Sequence, residues 1–169
     1  MAEEQLAVLD ESGQVVGTAP RSVVRRENLW HLVVAALVRD SAGRIYVHRR
    51  TAGKDVFPGM YDCWVAGCVA AGESADAAIV RELAEELGIR DVAVRPLFTR
   101  RYADALIREV CVAYETTYDG PITHQPEEID WGGWMELDEL AAHLATDGWA
   151  TPDGTALFQE WLRERGARG

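Results

Sequence analysis

The sequence predicts an α/β fold in which helices are layered around a mixed β-sheet. Three observations predict it. Short apolar runs separated by Gly, Asp and Pro turns recur along the chain. Only a few well-separated segments carry helical spacing. Those segments do not alternate with the strands as a series of βαβ units would. A chain of 169 residues with 48 % apolar content is long enough for one domain with a real core. We take residues 1–169 as that domain, with residues 1–28 as an N-terminal extension of hairpin and short helix.

Residues 5–9 and 14–18 flank Glu11-Ser12-Gly13 as a hairpin. Pro20 suits the first turn of a helix reaching about Asn28. Leu32–Val38 and Arg44–His48 form a second hairpin around Asp40-Ser41-Ala42-Gly43, and the first of these strands is apolar enough to lie centrally. Residues 49–62 read as a loop and Cys63–Val69 as a strand. Ser74 then caps a helix that runs to Leu87 and stops at Gly88. Its apolar stripe would be Ala77, Ala78, Val80 (or Ile79), Leu83 and Leu87. Strands follow near 92–98 and 107–116, then a turn at Tyr118-Asp119-Gly120-Pro121. Trp131–Leu137 is a strand and Asp138–Leu144 a helix. A last helix starts near Pro152, with Leu157, Phe158, Trp161 and Leu162 at helical spacing.

The chemistry concentrates on the helix between Ser74 and Gly88. Glu82, Glu85 and Glu86 stand at offsets 0, 3 and 4, which gathers them on one face at about 100° per residue. Like charges so placed repel. A divalent cation removes that conflict, because carboxylate oxygens are the ligands that Mg²⁺ and Mn²⁺ prefer. An acidic helix face is more often merely solvated, but here the run is embedded in a longer pattern. It reads Gly67, five residues, Glu73, seven residues, Arg81-Glu82, then Glu85-Glu86 and Gly88-Ile89.

Residues 67–89 resemble the Nudix box, with every fixed position filled. That resemblance implies an α/β/α sandwich and a Mg²⁺- or Mn²⁺-dependent pyrophosphohydrolase, in which water attacks phosphorus in a diphosphate linked to another group. It implies Glu82, Glu85 and Glu86 as metal ligands, with the Gly67 carbonyl as a further one. Arg81 would hold the glutamates in place with Glu73 as its partner. The general base is left open between Glu128, the first choice, and Glu127, both in the His124–Ile129 segment. The segment His48–Asp62 resembles the loop before the box in isopentenyl-diphosphate isomerases and their hydrolase relatives. By that resemblance Arg50 and Lys54 engage the substrate's diphosphate. The isomerase itself needs a cysteine just before the box glycine and a histidine just after it, where this chain has Ala66 and Cys68. A one-residue shift along a strand turns a side chain to the other face, so Cys63 and Cys68 read as packing residues. An isomerase and a non-catalytic binding module of the same fold are the alternatives.

Composition narrows the partners. With 17 Lys and Arg against 28 Asp and Glu, the formal charge is −11, which disfavours binding to a nucleic-acid polymer. Cys63, Cys68 and Cys111 form no Cys-x-x-Cys pair, and His31, His48, His124 and His143 show no zinc-ligand spacing. Neither a basic start nor a membrane-length apolar run is present, so a cytoplasmic setting without membrane attachment is expected. The partner expected is a small-molecule diphosphate, with a homodimer left open. Trp30, Phe57, Tyr61, Trp64, Phe98, Tyr102, Trp131 and Trp134 could stack on a base, although aromatic residues at strand spacing more often fill a core.

Overall fold

The computed structural model describes residues 2–169. Strand β3 (Trp30–Arg39) is the spine of a mixed sheet. It pairs antiparallel with β6 (Trp64–Cys68) on one side and parallel with β8 (Arg108–Thr117) on the other. β7 (Arg95–Ala103) extends the sheet beyond β8. A hairpin of β1 (Gln5–Leu9) and β2 (Val15–Pro20) meets β3 at Val8 and His31. β4 (Ile45–Arg50) pairs with the short β5 (Tyr61–Asp62) and with β9 (Ile129–Met135).

The apolar run predicted to be central is buried on both faces, and its period of two divides the core. Val33, Ala35 and Leu37 face one layer, and Val34, Ala36 and Val38 face the other. The first layer is closed by α1 (Arg21–Glu27), α3 (Leu137–Leu144) and α4 (Pro152–Arg168), through Val24, Leu140, Leu157, Phe158 and Trp161. The second is closed by α2 (Ala75–Leu87). The result is the α/β/α sandwich that the resemblance implied.

Most elements lie within a few residues of their expected places, and the differences have local causes. Pro20 ends β2 and caps α1 from outside, with ψ of 144°. The strand expected near 92–98 begins at Arg95, because Asp91 adopts a left-handed φ of 56° after α2 and delays the pairing with β8. β9 starts two residues early at Ile129, where a register shift between Arg49 and Arg50 lets it pair with β4. Leu137 then opens α3.

Helix α2 carries the main correction. Ser74 Oγ accepts from Ala77 N–H at 3.1 Å and Gly88 closes the helix at φ of 68°, as its caps predict. The inward row, however, is Ile79, Leu83 and Leu87, while Val80 is 49 % exposed and Ala77 also faces solvent. Nor do the glutamates sit apart from that stripe. Ala78, Glu82 and Glu86 form the adjacent row four residues apart, and both glutamates are buried. Leu162 on α4 is likewise 37 % exposed, beside the buried Trp161.

This packing predicts unequal costs for two truncations on one helix. Leu83→Ala should lose about 2–5 kcal/mol in urea unfolding, whereas Val80→Ala should stay within about 0.5 kcal/mol of the parent. Equal losses would contradict the assigned face.

Candidate active site

Gly67 explains how a glutamate can be buried against a sheet. A Cβ there would lie 2.1 Å from Glu82 Oε1, so only glycine lets the Glu82 carboxylate rest on the β6 backbone. Arg81 then fixes the arrangement. Its Nε and Nη2 donate to the two oxygens of Glu73 at 2.8 and 3.1 Å, a bidentate pair. Nη1 donates to Glu82 Oε1 at 2.6 Å and to Glu85 Oε2 at 3.3 Å, and Nη2 also reaches the Cys68 carbonyl at 3.2 Å. Glu73 Oε2 accepts from Ala70 N–H at 3.0 Å, which completes a tie between strand, loop and helix.

Two further segments close over the helix. The loop before β9 is pinned to the end of α2 by Thr123 N–H to the Leu87 carbonyl and Gln125 N–H to the Glu86 carbonyl, each at 3.0 Å. Thr51 then joins the β4–β5 loop to it, through its N–H to the Glu128 carbonyl at 3.0 Å and its hydroxyl to the Glu127 carbonyl at 2.9 Å. These bonds bring Lys54 and Glu128 together as an ion pair facing the box glutamates. Glu127 points to solvent and does not line the cleft.

The resulting cleft, about 380 Å³, contains Glu82, Glu85, Glu86, Glu128, Lys54 and Arg81. Burial pushes Glu82 up to about 7 despite Arg81. Burial, with the Glu82 charge added, pushes Glu86 well above the usual carboxylate range. The Glu86 carboxylate receives no hydrogen bond among the described residues. An oxygen-only set of this kind, crowded and short of donors, fits a hard divalent cation. Among the described residues no three such side chains converge as a finished cage. Glu82 and Glu85 each give one carboxylate oxygen to Arg81, Oε1 and Oε2 respectively, and their other oxygens carry no hydrogen bond among the described residues.

A second cavity adjoins the cleft and shares Ala66, Lys54 and Arg21 with it. Arg50 lines it and donates through Nε and Nη2 to the Val56 carbonyl at 3.2 and 2.8 Å. The two predicted cations therefore lie near each other, Arg50 in the second cavity and Lys54 in both.

The Nudix domain family matches residues 29–156. The chain belongs to it. An uncharacterised Nudix hydrolase of Rhodococcus erythropolis is 43 % identical over 95 % of this chain and 92 % of its own. The crystal structure of DR0079 from Deinococcus radiodurans matches with a TM-score of 0.80 at 30 % identity, covering 93 % of this chain and 98 % of that one. An isopentenyl-diphosphate Δ-isomerase of Clavibacter michiganensis is 31 % identical over 94 % of this chain and 82 % of its own. This Nudix protein is thus a hydrolase of pyrophosphate bonds in a group that shades into the isomerases.

Sequence reasoning missed several residues of this Nudix site. Glu4 and Arg21 reach the cleft because Arg21 N–H donates to the Glu4 carbonyl at 2.9 Å and Ala71 N–H to the Gln5 carbonyl at 2.8 Å, which lashes β1 to the loop after β6. A charged residue in a short N-terminal helix carries no signal of such a role. Asp62, Glu109 and Asp153 are brought to the second cavity from three distant elements. The cysteines are all free and buried. Cys68 shares the face of Ala66, contrary to the alternation argument, yet its thiol lies under Arg25 and lines neither cavity. Burial raises its pKa, which fits packing and not nucleophilic chemistry. Of the aromatic candidates, Phe57 and Trp64 line the second cavity, while Tyr61 stacks on Trp149 and Trp134 packs on Tyr46. Among the described residues no helix is long and apolar enough to cross a membrane.

Asp62 supplies a test that does not involve the box. Burial and the nearby Asp153 charge raise it from 3.8 to about 7, against the pull of Arg50 and hydrogen bonds from Trp64 N–H and Thr151. The folded state therefore holds a proton that the unfolded state releases, and stability falls as pH rises from about 4 to about 7. Thermal melts of the parent should show that decline, and Asp62→Asn should make it shallower while leaving the part that the raised Glu82 and Glu86 contribute. Parallel pH profiles would contradict the assignment.

Proposed function

We propose that this protein is a Mg²⁺- or Mn²⁺-dependent Nudix pyrophosphohydrolase that cleaves a small diphosphate ester, such as a nucleoside di- or triphosphate or a related compound. The observation that carries the reading is the gathering of Glu82, Glu85, Glu86 and Glu128 in one cleft, with Lys54 on its edge. Glu82, Glu85 and Glu86 would hold the cation, with the Gly67 carbonyl as a further ligand. When bound, the cation neutralises phosphate charge and lowers the pKa of an attacking water.

The chain's own residues divide the remaining work. Arg81 acts as a positioning residue through Glu73, Glu82 and Glu85. Lys54 and Arg50 orient the diphosphate, as point charge and planar fork respectively. Glu128 takes the proton from water. Its ion pair with Lys54 links the two roles: an entering phosphate competes for Lys54 and leaves Glu128 free to act as a base. Glu127 is the weaker candidate because its side chain is exposed outside the cleft. Residues 1–28 belong to the same catalytic unit, since Glu4 and Arg21 form part of its wall. The isomerase reading loses support at Ala66, which lines both cavities where that chemistry needs a thiol.

Phosphate release from a panel of nucleoside, sugar-nucleotide and isoprenoid diphosphates with Mg²⁺ tests this reading. Glu86→Gln should lower kcat/KM at least about 100-fold, and Glu128→Gln should lower kcat about 10²–10⁴-fold at saturating metal. Full activity in Glu128→Gln would remove it as the base. No turnover across the panel, or full activity with Glu85→Gln and Glu86→Gln combined, would sink the hydrolase assignment to this cleft.

A further inference from the structure

The segment that carries Glu128 has no regular structure of its own between the end of β8 at Thr117 and the start of β9 at Ile129. Most of its ties near the cleft run through the backbone: Thr123 and Gln125 N–H bond to the end of α2, and the Glu127 and Glu128 carbonyls accept from Thr51. One tie is of another kind. The Tyr46 hydroxyl, on β4, meets Nε2 of His124 at 2.6 Å. Tyr46 is buried and its ring stands edge-on to Trp134 at 5.1 Å, so the hydroxyl projects from a fixed point in the sheet. Burial moves the two pKa values apart, Tyr46 up and His124 down, and a protonated phenol therefore faces a neutral imidazole at neutral pH.

Gly132 on β9 makes room for this bond. A Cβ there would lie 2.3 Å from the Tyr46 hydroxyl oxygen and 2.6 Å from His124 Nε2. Its φ is not positive, so space and not backbone conformation demands the glycine. Gly67 does the same for Glu82. The bond lands one residue before Gln125, whose carbonyl accepts from Glu128 N–H at 3.0 Å and from Ile129 N–H at 2.9 Å. A single tight turn thus separates the anchored imidazole from the Glu128 side chain. Neither Tyr46 nor His124 lines the glutamate cleft, and none of the chemistry proposed for the cleft uses them directly.

We infer that Tyr46 and His124 are positioning residues for the general base. Their hydrogen bond, admitted by Gly132, fixes the turn from Gln125 to Glu128 against the sheet and so sets where the Glu128 carboxylate stands in the cleft. This role rests on the hydrolase reading above, with Glu128 as its base. The backbone ties fasten the segment at the end of α2 and at Thr51. Two attachments leave an axis about which the turn can rock, and a third removes it. The constraint matters because a base must stay within hydrogen-bond reach of the water it deprotonates, and a misplacement of about 1 Å can cost about 10²-fold in rate.

Steady-state kinetics on the best substrate of the panel, at saturating Mg²⁺, test this role in Tyr46→Phe, His124→Leu and their combination. Each single variant should lower kcat about 5–50-fold, with KM within about twofold of the parent. The double variant should be no worse than the poorer single one, because the two residues contribute one bond. His124→Gln, whose amide can reach the place of Nε2, should recover most of the loss. Gly132→Ala, which keeps both partners but crowds them apart, should reproduce the loss and serves if Tyr46→Phe does not fold. In a Glu128→Gln background, Tyr46→Phe should change kcat less than about twofold, and its Mn²⁺ affinity should equal the parent's. An unchanged kcat in Tyr46→Phe, a loss that persists beside Glu128→Gln, or weakened Mn²⁺ binding would overturn the inference. Hydrogen exchange in EDTA, without substrate, separates it from the hydrolase reading. The backbone amides of Gln125, Glu128 and Ile129 should exchange faster in Tyr46→Phe than in the parent. Faster exchange without any turnover by the parent would support the tie and reject the hydrolase. Unchanged exchange would reject the tie whatever the turnover.

Discussion

The fan of hydrogen bonds from Arg81 is the interaction on which the site depends. One planar guanidinium joins Glu73 in the loop, Glu82 and Glu85 on α2, and the Cys68 carbonyl at the end of β6. A lysine has three donors and no fixed plane, so it could not hold these groups in one geometry. Arg81 is half-exposed, and a single surface ion pair contributes little. Its value here is geometric: it keeps an acidic helix face against a sheet edge where repulsion and desolvation both oppose it. Gly67 is the matching device on the strand, since any side chain there would displace Glu82.

Around this tie the molecule separates charge on a scale much smaller than its net charge implies. Glu82, Glu85, Glu86 and Glu128 crowd the cleft, Asp62, Glu109 and Asp153 line the second cavity, and Arg21 and Lys54 stand at the boundary the two share. The Lys54–Glu128 ion pair sits where the two cavities meet, with Lys54 lining both and Glu128 the glutamate cleft. Part of the cationic set comes from residues 21–25, outside the segment that matches the Nudix domain family. The N-terminal segment is therefore more than a covering layer, because Arg21 of α1 lines both cavities, Arg25 the second and Glu4, just before β1, the cleft.

What could be read from the sequence followed from local periodicity and a dense motif. The central strand was legible because burial on both faces leaves an unbroken apolar run from Leu32 to Val38. The caps of α2 were legible because Ser74 and Gly88 satisfy its ends locally. The helix phase was harder. Ile79 and Val80 are alike in hydrophobicity, and only the position of β6 decides which one is buried. The burial of Glu82 could not be inferred from helix periodicity, since the compensating feature is the absence of a side chain fifteen residues earlier, at Gly67. The meeting of Asp62, Glu109 and Asp153 was hidden because it is a product of sheet order: Asp62 and Glu109 lie in stretches that resemble the isomerase group, but nothing in the chain places them together or beside Asp153.

The most direct test of the account is a Mn²⁺ titration followed by electron paramagnetic resonance, comparing the parent protein with Arg81→Lys. The account predicts saturable binding in the parent, displaced by Mg²⁺. It predicts affinity about 10–100-fold weaker in Arg81→Lys, because the carboxylates lose the group that positions them. Absence of saturable binding in the parent, or equal affinity in the folded Arg81→Lys protein, would contradict it.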